Sequence, residues 1–246
     1  MKKIRLDTLL VERGYFPDAD AALRAVVAHE VKVGDVYAQS AALLVAPDVL
    51  IEVKGRKKFV SRGGYKLQEA LQAFKQSAKD LKCLDVGAST GGFTDCLLQA
   101  GAKQVTCVDV NYGQLAWELR QDNRVNAFER LNIKHANPQA IGAPFDLIVA
   151  DVSFIGLAQL APVFARFAYP GSVFIGLIKP QFESRSNETD RGVVRDESVR
   201  ERVIAEVSEA LLEAGFKPSG VIESPIKGPA GNIEYLVHAT YSYCCN

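Results

Sequence analysis

The chain of 246 residues is 48% hydrophobic and balances 29 Lys plus Arg against 29 Asp plus Glu, so overall charge attracts neither nucleic acid nor a membrane, and any such contact needs a local patch. That length and composition supply one substantial core and a small additional domain. Cys83, Cys96, Cys107, Cys244 and Cys245 are odd in number with no C-x-x-C spacing, which fits reduced cytosolic thiols better than a disulfide frame or a zinc site. His29, His135 and His238 have no metal spacing, and MKKIRLDTLL lacks the apolar core of a signal peptide, so a metal-free, cytoplasmic protein is expected.

Residues 1–53 read as a unit of their own. Leu6, Leu9 and Leu10 recur at helical spacing, Gly14 stops that helix, and Tyr15-Phe16-Pro17 makes the turn. A second helix over 18–28 can be capped by Asp18 or Asp20, and short strands follow at 31–33, 36–38 and 49–53. The run R-L-D-x-L-L-V-E-R-G-Y-F from Arg5 resembles the start of the alpha-L RNA-binding domain, also called the S-four domain, whose two helices present basic side chains to structured RNA. The resemblance implies phosphate contacts from Lys2, Lys3, Arg5 and Arg13. This copy departs from the pattern: Asp18, Asp20 and Glu30 outnumber Arg24 in its second helical segment, and His29-Glu30 stands where a glycine-containing turn is expected. A retained fold with weakened RNA contact is therefore the alternative.

Residues 54–64 form a basic linker, with Lys54, Arg56, Lys57, Lys58 and Arg62 before Lys66 and no acid among them. Such a run is ordinarily solvated, but Phe59, Tyr65 and Gly63-Gly64 interleave aromatics and a bend with the cations, as a nucleic-acid edge does. The spacing of Leu67, Ala70, Leu71 and Phe74 then predicts a helix over 65–74, opening a domain that runs to 246.

The centre of that domain is LKCLDVGASTGGFTD, residues 81–95. Leu81, Leu84 and Val86 make a short strand, Asp85 and Gly87 end it, Ala88 to Gly92 are small where a ligand approaches the backbone, and Phe93 starts a helix with Leu97 and Leu98. Unpaired N–H groups at that helix start suit a carboxylate, ribose or phosphate. Glycines at 87, 91 and 92 do not match G-x-G-x-x-G, and a glycine-rich connection without a ligand is the alternative. The next strand, 105–110, ends in Asp109, about 20 residues along, where nucleotide folds hold ribose hydroxyls.

A helix over 114–121 and strands at 126–128 and 145–150 follow, the last ending in Asp151-Val152-Ser153 beside the glycine turn. Residues 154–178 carry one charge, Arg166, yet Pro162 and Pro170-Gly171-Ser172 break the stretch into a helix over 156–167 and a buried strand over 172–178. That strand delivers Lys179 to the same edge. Residues 184–196 read as a mobile polar loop, a candidate lid; a helix over 197–214, a strand at 220–223, a Pro/Gly loop over 224–232 and a last strand opened by Glu234 complete the chain.

This order resembles a Rossmann-like S-adenosylmethionine-dependent methyltransferase, and more closely the FtsJ-like ribose 2′-O-methyltransferases. The combination of the alpha-L start with S-R-G-G-Y-K-L, D-V-G-A-S-T-G-G-F-T-D, D-V-S-F-I, I-K-P-Q-F-E and G-N-x-E-Y is similar to the TlyA family of rRNA methyltransferases over nearly the whole chain. The resemblance implies an α/β fold with a mostly parallel seven-stranded sheet beside a small α+β domain. It also implies a catalytic tetrad matching Lys66, Asp151, Lys179 and Glu234, and a cytidine 2′-hydroxyl of rRNA or ribosomal subunits as acceptor. S-adenosyl-L-methionine would lie on Gly87, Ala88, Ser89, Gly91, Gly92 and Phe93, with its methionine moiety near Asp85 and Ser89, its ribose on Asp109, its adenine near Asn132, and Asp151 alongside.

A ribose hydroxyl is a poor nucleophile, so transfer needs a general base and in-line placement of both reactants. A free lysine, of pKa ~10.4, serves only if burial or a neighbouring cation lowers that value. The expected roles are Lys179 as base, Lys66 as the group positioning the hydroxyl, and Asp151 and Glu234 as orienting carboxylates. Structural salt bridges are the alternative for each pair. A non-catalytic RNA- or ribosome-binding factor, a small-molecule methyltransferase and a haemolysin, a name relatives of this family have carried, are the competing functions.

Overall fold

The computed structural model describes residues 3–47, 49, 51–55 and 58–242. They form two compact units, Met1–Lys58 and Phe59–Asn246. In the first, β1 (Ile4–Arg5), α1 (Leu6–Glu12), α2 (Ala19–Val27), β2 (Val31–Val33), β3 (Val36–Tyr37), β4 (Leu44–Val45) and β5 (Ile51–Val53) build a β1–β4 pair and a sheet of order β3-β2-β5. Leu6, Leu9, Leu10, Ala22, Val26 and Val31 close its core. Asp18 caps α2, its Oδ1 accepting the Ala21 N–H at 2.7 Å. His29 takes φ 52°, so a histidine occupies the left-handed position where glycine is favoured. The two-residue pair β1–β4 left no periodicity to detect in the sequence.

The second unit contains α3 (Gly63–Ala73), β6 (Lys82–Val86), α4 (Gly92–Gln99), β7 (Gln104–Val108), α5 (Trp117–Gln121), β8 (Val125–Phe128), β9 (Leu147–Ala150), α6 (Leu157–Ala165), β10 (Val173–Ile178), α7 (Pro180–Glu183), α8 (Glu197–Glu213), β11 (Phe216–Glu223) and β12 (Tyr235–Tyr241). Its seven strands run β11-β12-β10-β9-β6-β7-β8. The five from β10 to β8 are parallel, and β12 pairs antiparallel with both β10 and β11. Both faces are buried, which is why the strands read as apolar runs. Leu84, Val86, Ile148 and Phe174 pack toward α6 and α8, while Cys83, Leu147, Val149 and Ile175 pack toward α3 and α4.

The chain leaves β6 toward β7 and β8, then returns to place β9 on the other side of β6. Ligands in open α/β sheets bind at the carboxyl ends of strands beside such a reversal. The stretch 154–178 resolves into α6 and β10 with its break at Pro170-Gly171-Ser172, whereas Pro162 lies inside α6 and does not end it, and among the described residues no helix is long and apolar enough to cross a membrane.

Three expectations need correction. Phe59 is 2% exposed and meets Tyr65 edge-on with ring centroids 5.1 Å apart, so it belongs to the core of the second unit and not to an aromatic RNA edge. Strand β11 begins at Phe216, not 220, because Pro218 lies on an edge strand at a register irregularity, where its missing N–H breaks no ladder. The supposed mobile lid is tied down. Buried Asn232 donates through Nδ2 to the Gly192 carbonyl at 2.8 Å and accepts the Val194 N–H at 3.0 Å, while Arg202 pairs with Glu188 at 2.6 Å. Asn232→Ala leaves those backbone groups unpaired at a cost of about 1–3 kcal/mol, and limited proteolysis should cut within residues 184–196 faster than in the native protein.

Candidate active site

Gly87 follows β6 directly, at φ +81°, and a Cβ there would overlap the Asp151 carbonyl. Only glycine lets the ends of β6 and β9 meet so closely. Gly92 plays the matching part where α4 meets α3, since a Cβ on it would overlap the Ser61 hydroxyl and approach the Gly64 nitrogen to 2.9 Å. Between them Ser89 sits at φ 49° and donates its N–H to Asp109 Oδ2 at 2.8 Å, while Asp109 Oδ1 accepts the Asn111 N–H at 2.7 Å. The carboxylate after β7 therefore ties the glycine loop to the neighbouring strand end.

Two cavities flank this loop. One, of about 380 Å³, has apolar walls from Val108, Leu131, Ile133 and Leu160 and polar groups from Ser89, Asp109, Asn132 and Asp151. The other, of about 320 Å³, is lined by Arg62, Lys66, Thr90, Asp151, Lys179 and Glu234 among others. Gly87, Ser89, Asp151 and Ser153 line both.

Besides Arg62, the second cavity collects four charged side chains from four separate parts of the chain. Asp151 and Lys179 stand one residue past β9 and β10, and Glu234 one residue before β12. Because β12 is antiparallel to β10, with Ile178 opposite Tyr235, its amino end lies at the same edge as the carboxyl ends of its neighbours. Lys66, in α3, is 7% exposed and pairs with the 1% exposed Glu234 at 2.5 Å. Lys179 Nζ lies 2.6 Å from Asp151 Oδ1 and donates to Ser153 Oγ at 2.9 Å. Gln181 Nε2 reaches the second oxygen of Glu234 at 3.4 Å. Ser153 and Gln181 escaped sequence reasoning, although both lie inside the D-V-S-F-I and I-K-P-Q-F-E runs.

Asp85 is wholly buried and accepts the Thr94 hydroxyl at 2.6 Å through Oδ2, while its Oδ1 has no partner among the described residues. Burial, opposed by the Thr94 bond, pushes its carboxyl up to about 7. Gly87, Ser89, Asp109, Asn132 and Asp151 face the first cavity, and Ala88, Gly92 and Phe93 the second. Gly91 supports the loop from beneath Leu115 and Leu119. Asn132 spends its carbonyl oxygen on the Lys134 N–H at 3.0 Å.

The residues expected to touch RNA belong to both units. Arg5 pairs with Asp7 at 2.5 Å with its side chain still 57% exposed, and Arg13 donates to the backbone carbonyls of Pro47 and Val49. Lys3, Lys54 and Lys58 are exposed, and Arg62 lines the second cavity. Lys2, Arg56 and Lys57 lie outside the described residues.

The family model described as FtsJ-like methyltransferase matches residues 59–241. A Bacillus subtilis protein, YqxC, provisionally named an rRNA methyltransferase, is 44% identical over 241 residues, 96% of this chain and 85% of its own. The 16S/23S rRNA (cytidine-2′-O)-methyltransferase TlyA of Mycobacterium tuberculosis is 40% identical over 239 residues, 96% of this chain and 89% of its own. A solved structure from Streptococcus thermophilus, provisionally named a hemolysin, matches with a TM-score of 0.74 and 38% identity, covering 98% of this chain and 90% of that one.

The Asp85 carboxyl generates a prediction with a definite sign. Its folded value of about 7 lies above its ordinary 3.8, so the stability it contributes is complete below about 3.8, falls as pH rises toward 7, and is flat above that. Asp85→Asn removes this slope. In thermal melts of the ligand-free proteins, the Asn variant should gain on the native protein across that interval and keep a constant lead at higher pH.

Proposed function

The chain belongs to the FtsJ-like methyltransferases, a family of S-adenosylmethionine-dependent enzymes, and we propose that it methylates a ribose 2′-hydroxyl, that of a cytidine, in ribosomal RNA. The observation that carries this reading is the wall shared by the two cavities. A nucleoside-sized cleft with a carboxylate and an amide adjoins a pocket holding two lysines and two carboxylates, with Gly87, Ser89, Asp151 and Ser153 between them.

The first cavity fits S-adenosylmethionine by the chemistry of its walls. Val108, Leu131, Ile133 and Leu160 suit the faces of an adenine, Asn132 its edge, and Asp109 the ribose hydroxyls. Asp85, two residues before the Gly87 turn, is buried behind the linings of both cavities, and its carboxyl is assigned to the ammonium of the methionine moiety. When bound there, the cofactor supplies an electrophilic methyl group on a sulfonium.

The residues of the second cavity act on the acceptor. Lys179, held by Asp151 and Ser153, is the group that takes the proton from the 2′-hydroxyl. Lys66, locked by the buried Glu234, donates from Nζ to the same oxygen and fixes its approach to the shared wall. Arg62, in the lining of that pocket, meets a phosphate of the acceptor strand. Lys3 and Lys54 remain exposed on a first unit whose sequence resembles an alpha-L domain, and they supply the RNA contact there. The M. tuberculosis relative's name supports cytidine as the modified nucleotide. The reaction is assigned to the cytoplasm, where ribosomes are available and the buried thiols Cys83, Cys96 and Cys107 stay reduced.

The test is incorporation of labelled methyl from S-adenosylmethionine into ribosomal subunits from a strain lacking the gene. The native protein should label rRNA, and Lys179→Ala should bind the cofactor with native affinity while losing about 10²–10⁴-fold in rate. Joint loss of binding and transfer removes the base assignment. Absence of label with either subunit, despite cofactor binding, favours a non-catalytic ribosome-binding factor. In the same assays Asp109→Ala should weaken the cofactor by about 1.5–3 kcal/mol, and an unchanged affinity removes the ribose assignment.

A further inference from the structure

We propose that Glu183 is a positioning residue for methyl transfer, a clasp between the turn that carries Lys179 and the loop that carries Asp151 and Ser153; the role in transfer rests on the functional reading above. Lys179 meets its two partners across a chain crossing, since it ends β10 while they follow β9. That crossing is residues 151–156, a loop with a bulky side chain in the left-handed region: Phe154 has φ +66° and is 92% exposed. A conformation so unfavourable for phenylalanine persists only where the surrounding structure holds it. At one end, the Asp151 N–H donates to the Val86 carbonyl at 3.0 Å. At the other end the loop enters α6, whose N-cap Gly156 has no side chain to satisfy the first N–H groups.

Glu183 satisfies the first of them from another element. Its Oε1 accepts the Leu157 N–H. Gly156 leaves the space this needs, because a Cβ there would overlap the Glu183 carboxyl. Burial raises the Glu183 pKa while the Leu157 N–H bond opposes the rise, consistent with a carboxyl drawn inward to serve as a cap. The link to Lys179 is short and stiff. Helix α7 is a single turn between them, with the Phe182 N–H on the Lys179 carbonyl at 2.9 Å and the Ser184 N–H on the Pro180 carbonyl at 2.8 Å. The Phe182 ring also packs against Phe154, centroids 5.5 Å apart. Glu183 is thus the point where the lysine's turn grips the far end of the loop that carries the lysine's partners.

The clasp can be opened from either side. Glu183→Ala and Gly156→Ala should each slow single-turnover methyl transfer by roughly 10- to 100-fold, with cofactor affinity nearly unchanged and the double variant no slower than either single one. Glu183→Gln keeps an acceptor for the Leu157 N–H and should restore most of the rate. Additive losses, a native rate in Glu183→Ala, or a Gln variant as slow as the Ala variant would each overturn the proposal. Crystal structures of Glu183→Ala and Gly156→Ala read the clasp without any assay: separation of Lys179 Nζ from Asp151 beyond about 4 Å is expected, and an intact pair overturns the proposal. Should the native protein methylate no RNA, the functional reading fails, while the Lys179–Asp151 distance still decides whether Glu183 sets that pair.

Discussion

Where β6 and β9 leave the sheet, the Cα of Gly87 faces the carbonyl of Asp151 with no room for another atom. The rest of the site depends on that contact. It brings the glycine loop and the Asp151 loop to a common wall, so that one cavity opens on one side of it and a second on the other. The neighbouring contacts repeat the device: Gly92 admits the Ser61 hydroxyl and lets α3 seat Lys66 against the strand edge, and Gly156 admits the Glu183 carboxyl. At each of these places a missing side chain permits a polar group from a distant part of the chain to reach the site.

The two lysine pairs differ in a way that suits two roles. The Lys66–Glu234 pair is shut in, with side chains 9% and 1% exposed, whereas in the Lys179–Asp151 pair the carboxylate is 24% exposed. A buried pair of good geometry is strongly disrupted by loss of one partner and serves well as a fixed strut. A pair open on the carboxylate side can exchange partners with an incoming hydroxyl. On the proposed reading, Lys66 is the strut and Lys179 the group that moves a proton.

Much of the sheet was legible because a strand buried on both faces cannot avoid an apolar run bounded by small or polar residues, as Leu147 to Asp151 and Val173 to Lys179 illustrate. The edge residues were legible through the same punctuation: Asp151, Lys179 and Glu234 are the first charges at the ends of such runs. What the sequence concealed were contacts between distant segments. Nothing local distinguishes Asn232 as a tether for the 192–194 backbone, or Glu183 as a cap for α6. Phe59 misled because a buried aromatic beside a run of cations has the same local pattern as an aromatic in an RNA groove. Arg13 likewise gives no local sign of its bonds to the Pro47 and Val49 carbonyls, 34 and 36 residues away.

The insertion of β12 between β10 and β11 has a consequence for how the protein comes into being. Lys66 and Glu234 are 168 residues apart in the chain, and Glu234 enters the site only with the strand it precedes. A chain still growing on the ribosome, with its glycine loop and both lysines already made, therefore holds Lys66 without its counter-ion. Long-range closure of this kind is slow compared with local structure, because the loop entropy is lost before the contact is gained. Maturation of the site is tied to completion of the sheet, and a molecule truncated before β12 would keep most of its core strands and none of its finished second cavity.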